Sequence, residues 1–267
     1  MIPDILADFF RANQELLWFV TLALDLSLTL LMYRLFGRLG LTAAIVLAIL
    51  LANLQGPKLT IIFGMETSLG VIFYSTIFFA TDVLGERHGR AAANQAVLVG
   101  FGVSVIIVLM LSMSLLYLPS TQPDTAAFSK DIHQAFSRIL DFTPRFVFGS
   151  LLAYLISQSF DVWFFHRLKS YTQGKHLWFR NNLSTMTSQA LDTVMYSLIV
   201  WWGVVELGTA IQLAMAKYVF KLFIAAADTP FIYWARGWQV PELAAPDEAA
   251  HAASESRATR DYESVAQ

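Results

Sequence analysis

The stretch FFATDVLGERHGR, residues 78–90, places an acid inside an apolar run instead of after it. Asp82 comes before the run closes. Glu86 follows one helical turn later, and Arg87, His88 and Arg90 form a basic cluster behind it. In a soluble helix such an acid would sit on the wet face. Here the residues from about 67 to 84 are largely apolar and offer no such face. A run of roughly 18 to 20 residues is enough helix to cross the hydrocarbon of a bilayer. Burying a charge at that depth costs on the order of 3 kcal/mol, so Asp82 calls for a polar cavity or partner inside the membrane.

The rest of the chain supports that reading. Of its 267 residues, 56% are hydrophobic and 14% charged, and its mean hydropathy is +0.54. Soluble domains carry about a quarter charged residues. Long apolar blocks recur, and they run continuously without alternating. In lipid only helices and closed barrels satisfy their backbone, and continuous runs select helices. The sequence therefore predicts an all-α polytopic membrane protein. Seven apolar segments are expected, at roughly residues 16–36, 42–63, 67–84, 94–118, 145–168, 184–205 and 212–235.

The formal charge of -2 conceals two regions of opposite sign. Residues 241–267 carry six acids and two basic residues, are rich in Ala, Ser and Glu, and lack apolar periodicity. They read as a disordered tail. Without that tail the body is net basic. The basic residues cluster in alternate connections: Arg34 and Arg38, then Arg87 and Arg90, then Arg167, Lys169, Lys175 and Arg180. By the positive-inside rule those loops are cytoplasmic. The N-terminus is then outside and the tail cytoplasmic. The opening MIPDILADFFRANQELL carries acids where a cleaved signal peptide has a basic region, so no cleaved leader is expected there. Between segments 4 and 5, Phe128, Ile132, Phe136, Ile139 and Leu140 recur at helical spacing. They predict a short helix on the outer interface, ended by Thr143-Pro144-Arg145, with an ordinary surface loop as the alternative.

Several polar residues fall inside the spans, and two sets share one signature. Ser157-Gln158-x-x-Asp161 and Ser188-Gln189-x-x-Asp192 each put Gln and Asp three residues apart, on one helix face. Such a face can donate two hydrogens and accept two, which suits the edge of a guanine-like base. Tyr154, Trp163, Phe78, Phe79 and Tyr196 are candidates to stack on its ring. Each set has a plainer reading. Gln in a membrane helix often bonds only a neighbouring helix, and Asp161 and Asp192 have Arg167 and Arg180 as candidate partners. Lys221 looks committed to Asp82 or Asp192. Lys217 reads as snorkelling at the outer interface. Asp25 and Lys58 form a candidate structural pair, and Glu86 beside Arg87 a gate or structural pair.

Enzyme signatures such as HExxH, GxSxG and GxxxxGK[ST] are missing. There is no cysteine, and the five histidines lack ligand spacing. No catalytic residue, cofactor or metal is expected. The basic residues are loop clusters and form no nucleic-acid stripe.

Five ordered blocks carry a resemblance: LLANLQGPKL (50–59), FFATDVLGERHG (78–89), TPRFVFGSLLAYLISQSFDVWFFHRLK (143–169), GKHLWFRNNLSTMTSQALDTVMY (174–196) and YVFKLFIAAADTPFIYW (218–234). Over about residues 50–236 the chain resembles the queuosine precursor transporter family. The resemblance implies a six-helix core bundle over residues 41–236, similar in outline to the substrate-binding subunits of energy-coupling-factor transporters. Residues 1–40, with an extra transmembrane helix, and 237–267, a disordered acidic cytoplasmic tail, are additions to that core. It implies an inner-membrane importer of 7-cyano-7-deazaguanine, 7-aminomethyl-7-deazaguanine or queuine. The alternatives are a membrane subunit needing a separate ATPase, or an intramembrane enzyme. Asn53, Asp82, Gln158, Asp161, Gln189, Asp192 and Lys221 become candidate substrate-binding residues. Lys58, Glu86 and Arg180 become gating or structural charges. On this reading Asp82 either binds the base or couples its movement to a proton. The bilayer and a homodimer are the other expected partners.

Overall fold

A computed structural model describes residues 3–140, 144–200, 202–204 and 206–241, with the side chains of 144–146 and 213 outside that set. In chain order the elements are α1 (Asp4–Ala12), α2 (Gln14–Gln55), β1 (Leu59–Ile62), β2 (Met65–Ser68), α3 (Gly70–Arg87), α4 (Gly89–Ser114), α5 (Ala126–Leu140), α6 (Pro144–Tyr171), α7 (Leu177–Val200) and α8 (Leu207–Arg236).

The 42 residues of α2 are about twice what a bilayer requires at ~1.5 Å per residue. The helix breaks at Gly37, where φ is 56° and ψ is -137°. That conformation is open essentially to glycine, and a side chain there would run into the Pro241 carbonyl. The two arms, residues 14–36 and 38–55, are antiparallel, as their contacts show. Tyr33 lies beside His88, at the end of α3, whereas Ala52 lies against Gly70, at its start. They correspond to the first two expected segments.

The same bookkeeping of neighbours orders the whole bundle. Arg38 meets Gln95 and Tyr154 meets Val97. Ser188 meets Asp161, Tyr218 meets Met186, and Arg236 meets Glu86. The first arm of α2, α3, α6 and α8 therefore run one way, and the second arm, α4 and α7 the other. We call the face where α3 begins the upper face, and the face where it ends the lower. The start of α2 and the end of α8 lie on opposite faces.

Four of these helices (α2, α4, residues 147–171 of α6, and α8) are long and apolar enough to cross a membrane. The remaining two, α3 and α7, are more polar, and the packing explains why. Every residue of α3 from Gly70 to Gly85 is buried except Tyr74. A helix ringed by other helices need not be greasy. Lipid is as apolar as a leucine side chain, so close packing and interhelical polar contacts hold such a bundle together. Gly100 illustrates the packing: lacking a Cβ, it lets the Tyr154 hydroxyl donate to the Val97 carbonyl at 3.3 Å.

Several boundaries differ from expectation, and three places matter to the fold. The second segment ends at Gln55, and the apolar residues after it form a β-hairpin with Ile62 opposite Met65. Its turn residues, Phe63 and Gly64, both have positive φ (51° and 72°), the signature of a two-residue hairpin turn. Helix α7 begins at Leu177, well before the expected 184, because Arg180, Asn181 and Asn182 are carried inside the helix. The helix expected near 128–140 is present as α5. Its expected terminator falls partly outside the described residues, and Pro144 opens α6.

Beyond α8, residues 237–241 pack against the lower face, although the sequence groups them with the tail. Trp238 stacks on Tyr33 with ring centroids 6.3 Å apart, and its carbonyl accepts from Arg87 at 2.6 Å. The rest of the expected tail, 242–267, lies outside the described residues.

Candidate functional site

A cavity of about 570 Å³ opens in the upper half of the bundle. That volume is ordinary for a small-molecule site. Its walls come from the second arm of α2, the hairpin and α3 to α8. At its base Asp192 of α7 accepts from Tyr74 Oη at 2.6 Å and from Lys221 Nζ at 2.5 Å. Ser157 Oγ donates to the same carboxylate at 3.3 Å. The Lys221 ammonium also sits 4.7 Å from the Tyr74 ring centre. A second ammonium, Lys217, lies 4.1 Å over the Tyr196 ring. The wall thus presents two carboxylates (Glu66 and Asp192), two ammonium groups, the Arg138 guanidinium and three tyrosines (Tyr74, Tyr154 and Tyr196).

Of the candidate residues, Asn53, Asp192 and Lys221 line this cavity. Asn53 Nδ2 is turned back onto the Ile49 carbonyl at 2.9 Å. Gln158 and Gln189 do not line it. Each lies one helical turn below a wall residue, Tyr154 on α6 and Thr193 on α7. Both are fully buried. Gln158 Oε1 accepts from Thr81 at 3.2 Å, while its Nε2 and both polar atoms of Gln189 have no partner among the described residues.

Deeper still lie three buried acids. Asp82 Oδ2 accepts from Thr185 at 2.8 Å, Asp161 Oδ1 from Ser188 at 2.7 Å, and Asp228 Oδ1 from Asn181 at 3.2 Å. All three acids therefore meet α7 over about two turns, at Thr185, Ser188 and Asn181. Neither Asp161 nor Asp192 pairs with Arg167 or Arg180.

Arg180 instead reaches Glu86 at the lower face. Glu86 Oε2 is 2.5 Å from Arg180 Nη2 and 3.0 Å from Lys169 Nζ, and its Oε1 is 3.3 Å from Arg236 Nε. Arg180 Nη1 also donates to the carbonyls of Gly174 and Lys175. One carboxylate thereby ties the lower ends of α3, α6, α7 and α8. Lys58 is exposed and outside the cavity wall. It does not meet Asp25, which accepts from Thr76. Of the proposed stacking rings, Tyr154 and Tyr196 face the cavity, Phe78 and Phe79 are packed in the core, and Trp163 is exposed.

Sequence reasoning missed Tyr74 and Lys217. A tyrosine within an apolar run reads as packing, and a lysine near a span end reads as snorkelling. Their only signal was spacing: Lys217 and Lys221 lie four apart, on one helix face.

A multi-pass helical bundle with a polar cavity reaching part-way through it has the form of a membrane transport protein. Comparison agrees and narrows the class. Residues 68–235 match the family described as “Putative vitamin uptake transporter”. The chain is 34% identical over 82% of its length, and 93% of the relative's, to the “Probable queuosine precursor transporter” of Bacillus subtilis (strain 168). It is 26% identical over 61% of its length, and 70% of the relative's, to the “Queuosine precursor transporter” of Escherichia coli (strain K12). No solved structure matches the chain. The chain belongs to the queuosine precursor transporter family, a family of transporters and not of enzymes.

Proposed function

We propose that this protein imports 7-deazaguanine bases, the precursors of queuosine, through the upper cavity. One observation carries the assignment: the Asp192–Lys221 pair at the base of a tyrosine-walled cavity. A guanine-like ring offers two adjacent N–H donors beside a carbonyl acceptor. A carboxylate accepts the two donors, an ammonium meets the carbonyl, and tyrosine faces stack on the ring. The names of the similar proteins point to the same substrate class.

On this reading Asn53, Asp192 and Lys221 contact the base first, with Tyr74, Tyr196 and Lys217. Gln158 and Gln189, one turn deeper with spare hydrogen-bonding capacity, receive it as it moves down. The Glu86–Arg180 cluster, with Lys169 and Arg236, closes the lower mouth. Lys58, outside the wall, has no part in recognition. The core comprises the second arm of α2 together with α3, α4, α6, α7 and α8, a six-helix plan like that of energy-coupling-factor substrate-binding subunits. The first arm is the extra helix. The basic lower face supports a cytoplasmic placement of that face in the inner membrane, with the start of α2 outside. A homodimer belongs to the same reading, and cross-linking in membranes measures it.

The test is thermal unfolding of the detergent-purified protein with 7-cyano-7-deazaguanine, its aminomethyl analogue, queuine and guanine. A ligand at about 100 times its dissociation constant adds about 2.7 kcal/mol of stability. A shift with a deazaguanine and none with guanine is expected. No shift with any of the four refutes the substrate class. Uptake by the protein alone in liposomes separates an autonomous carrier from a subunit that needs an ATPase.

A further inference from the structure

The acids beneath the cavity form a site that substrate contact does not explain. Asp82, Asp161 and Asp228 come from three helices, α3, α6 and α8, and none exceeds 2% exposure. No Lys, Arg or His forms an ion pair with any of them among the described residues. Their partners are neutral: Thr185, Ser188 and Asn181. The nearest cations are already engaged, Lys221 above with Asp192 and Arg180 below with Glu86.

Three ionised carboxylates in such a place would repel one another and forgo solvation, at a cost of several kcal/mol per ion. Asp82 and Asp161 are bonded to Thr185 and Ser188, three residues apart on α7, and acids gathered in this way are relieved of their repulsion when one holds a proton, as in the shared-proton pairs of acid proteases. Two further atoms point the same way. Asp161 Oδ2 and Asn181 Oδ1 are buried acceptors with no donor among the described residues. Asn181 is itself fully buried and bonds Asp228 through its Nδ2, so a buried polar side chain with an unpartnered atom adjoins the acids. A metal ion fits less well: no group of three or more His, Cys, Asp or Glu among the described residues is arranged to hold one.

We infer that the Asp82–Asp161 pair, with Asp228, is a proton-binding site that couples base movement to a proton gradient. The inference rests on the importer reading for its substrate, though not for the site itself. The proton leaves water on the upper side, joins a carboxylate oxygen of the pair, and departs to water on the lower side. Nothing is oxidised, and no other bond changes. The site lies where both routes meet. Above it are Gln158, Gln189 and the cavity base. Below it Asn181 adjoins Arg180 of the Glu86 cluster. Other ionisable groups on or against the same helices are Glu86, one turn below Asp82 on α3, Asp25 on the first arm of α2, which accepts from Thr76, and His166 of α6, against Gly85. In α8, Pro230 lacks the N–H that would bond the Ala226 carbonyl, which loosens that helix two residues from Asp228.

Two measurements test this. The first is infrared titration of the substrate-free protein. A protonated-carboxyl band near neutral pH is expected in the wild type and lost in Asp161→Asn. Asp82→Asn serves as a second variant should the first fail to fold. No such band, or a band that both variants retain, overturns the site. The second uses sodium-free liposomes with 7-cyano-7-deazaguanine and a more acidic exterior. One pH unit supports up to about tenfold accumulation for one proton per base. Asp161→Asn is expected to lose that response. Wild-type accumulation that ignores the pH gradient, here or in a parallel arm with an imposed sodium gradient, overturns the coupling. Absence of uptake with every base sinks the substrate reading instead, and the infrared result then decides the proton site alone.

Discussion

The two halves of this bundle are built from the same kinds of residue and used in opposite ways. In the upper half a single ion pair, Asp192 with Lys221, borders about 570 Å³ of open space. In the lower half one carboxylate, Glu86, is held by three cations and lies outside the wall of that cavity. An ion pair next to a void can trade its partners for a ligand's polar atoms at little cost. A cluster that ties four helices cannot, unless the helices part. On the proposed reading, the difference separates a place that recognises from a place that shuts.

Substitutions can break or sharpen that contrast. Glu86→Ala should have the largest effect. It strands Arg180, fully buried, and loss of one partner of a buried pair costs about 3–5 kcal/mol. A lowered melting temperature in detergent is the readout, and an unchanged one would mean that the lower cluster holds nothing together. Asp192→Asn should act on recognition more than on folding. Losing a charged acceptor costs about 2 kcal/mol, or roughly thirtyfold in affinity for the best deazaguanine by ligand-induced thermal shift. Equal affinity would remove the carboxylate from the site. Gly37→Ala should destabilise by about 1–3 kcal/mol through backbone strain, with the clash against the Pro241 carbonyl added to it, leaving affinity intact in whatever protein folds. Asn53→Ala should weaken binding by about 1 kcal/mol, roughly fivefold, with no change in melting temperature without ligand. Leu98→Ala, on an exposed flank of α4, should change either quantity by less than about 0.5 kcal/mol and serves as the control.

Much of this fold was legible in the sequence because lipid imposes a simple rule. A helix that meets hydrocarbon must be apolar, so α4 and α8 could be read directly. The parts that were missed escape the rule. The hairpin hides in KLTIIFGMETS because its residues are as apolar as a helix end, and its turn is Phe-Gly instead of the commoner Asn-Gly. The start of α7 was missed because Arg180 looks like a loop residue until Glu86 is placed beside it. The candidate polar residues were found because charge in a membrane is conspicuous, but their sorting into three levels was not. Depth along the bundle depends on how helices slide past one another. Asp161 and Asp192 carry the same local signature, yet one lies among acids and the other against Lys221. Tyr74 became visible only as the single residue of the α3 core that is not fully covered.

The sharp turn at Gly37 has a consequence of parity. From residue 38 to 236 the bundle has an even number of long rods, so a chain made of them alone begins and ends on one side. The added arm makes the count odd. A reporter joined ahead of Asp4 and another joined after Pro241 would report from opposite sides of the same membrane. A factor confined to one side would reach both ends of the core but not the start of α2. The turn at Gly37 thus sets residues 14–36 on a path that starts from the face opposite the end of α8.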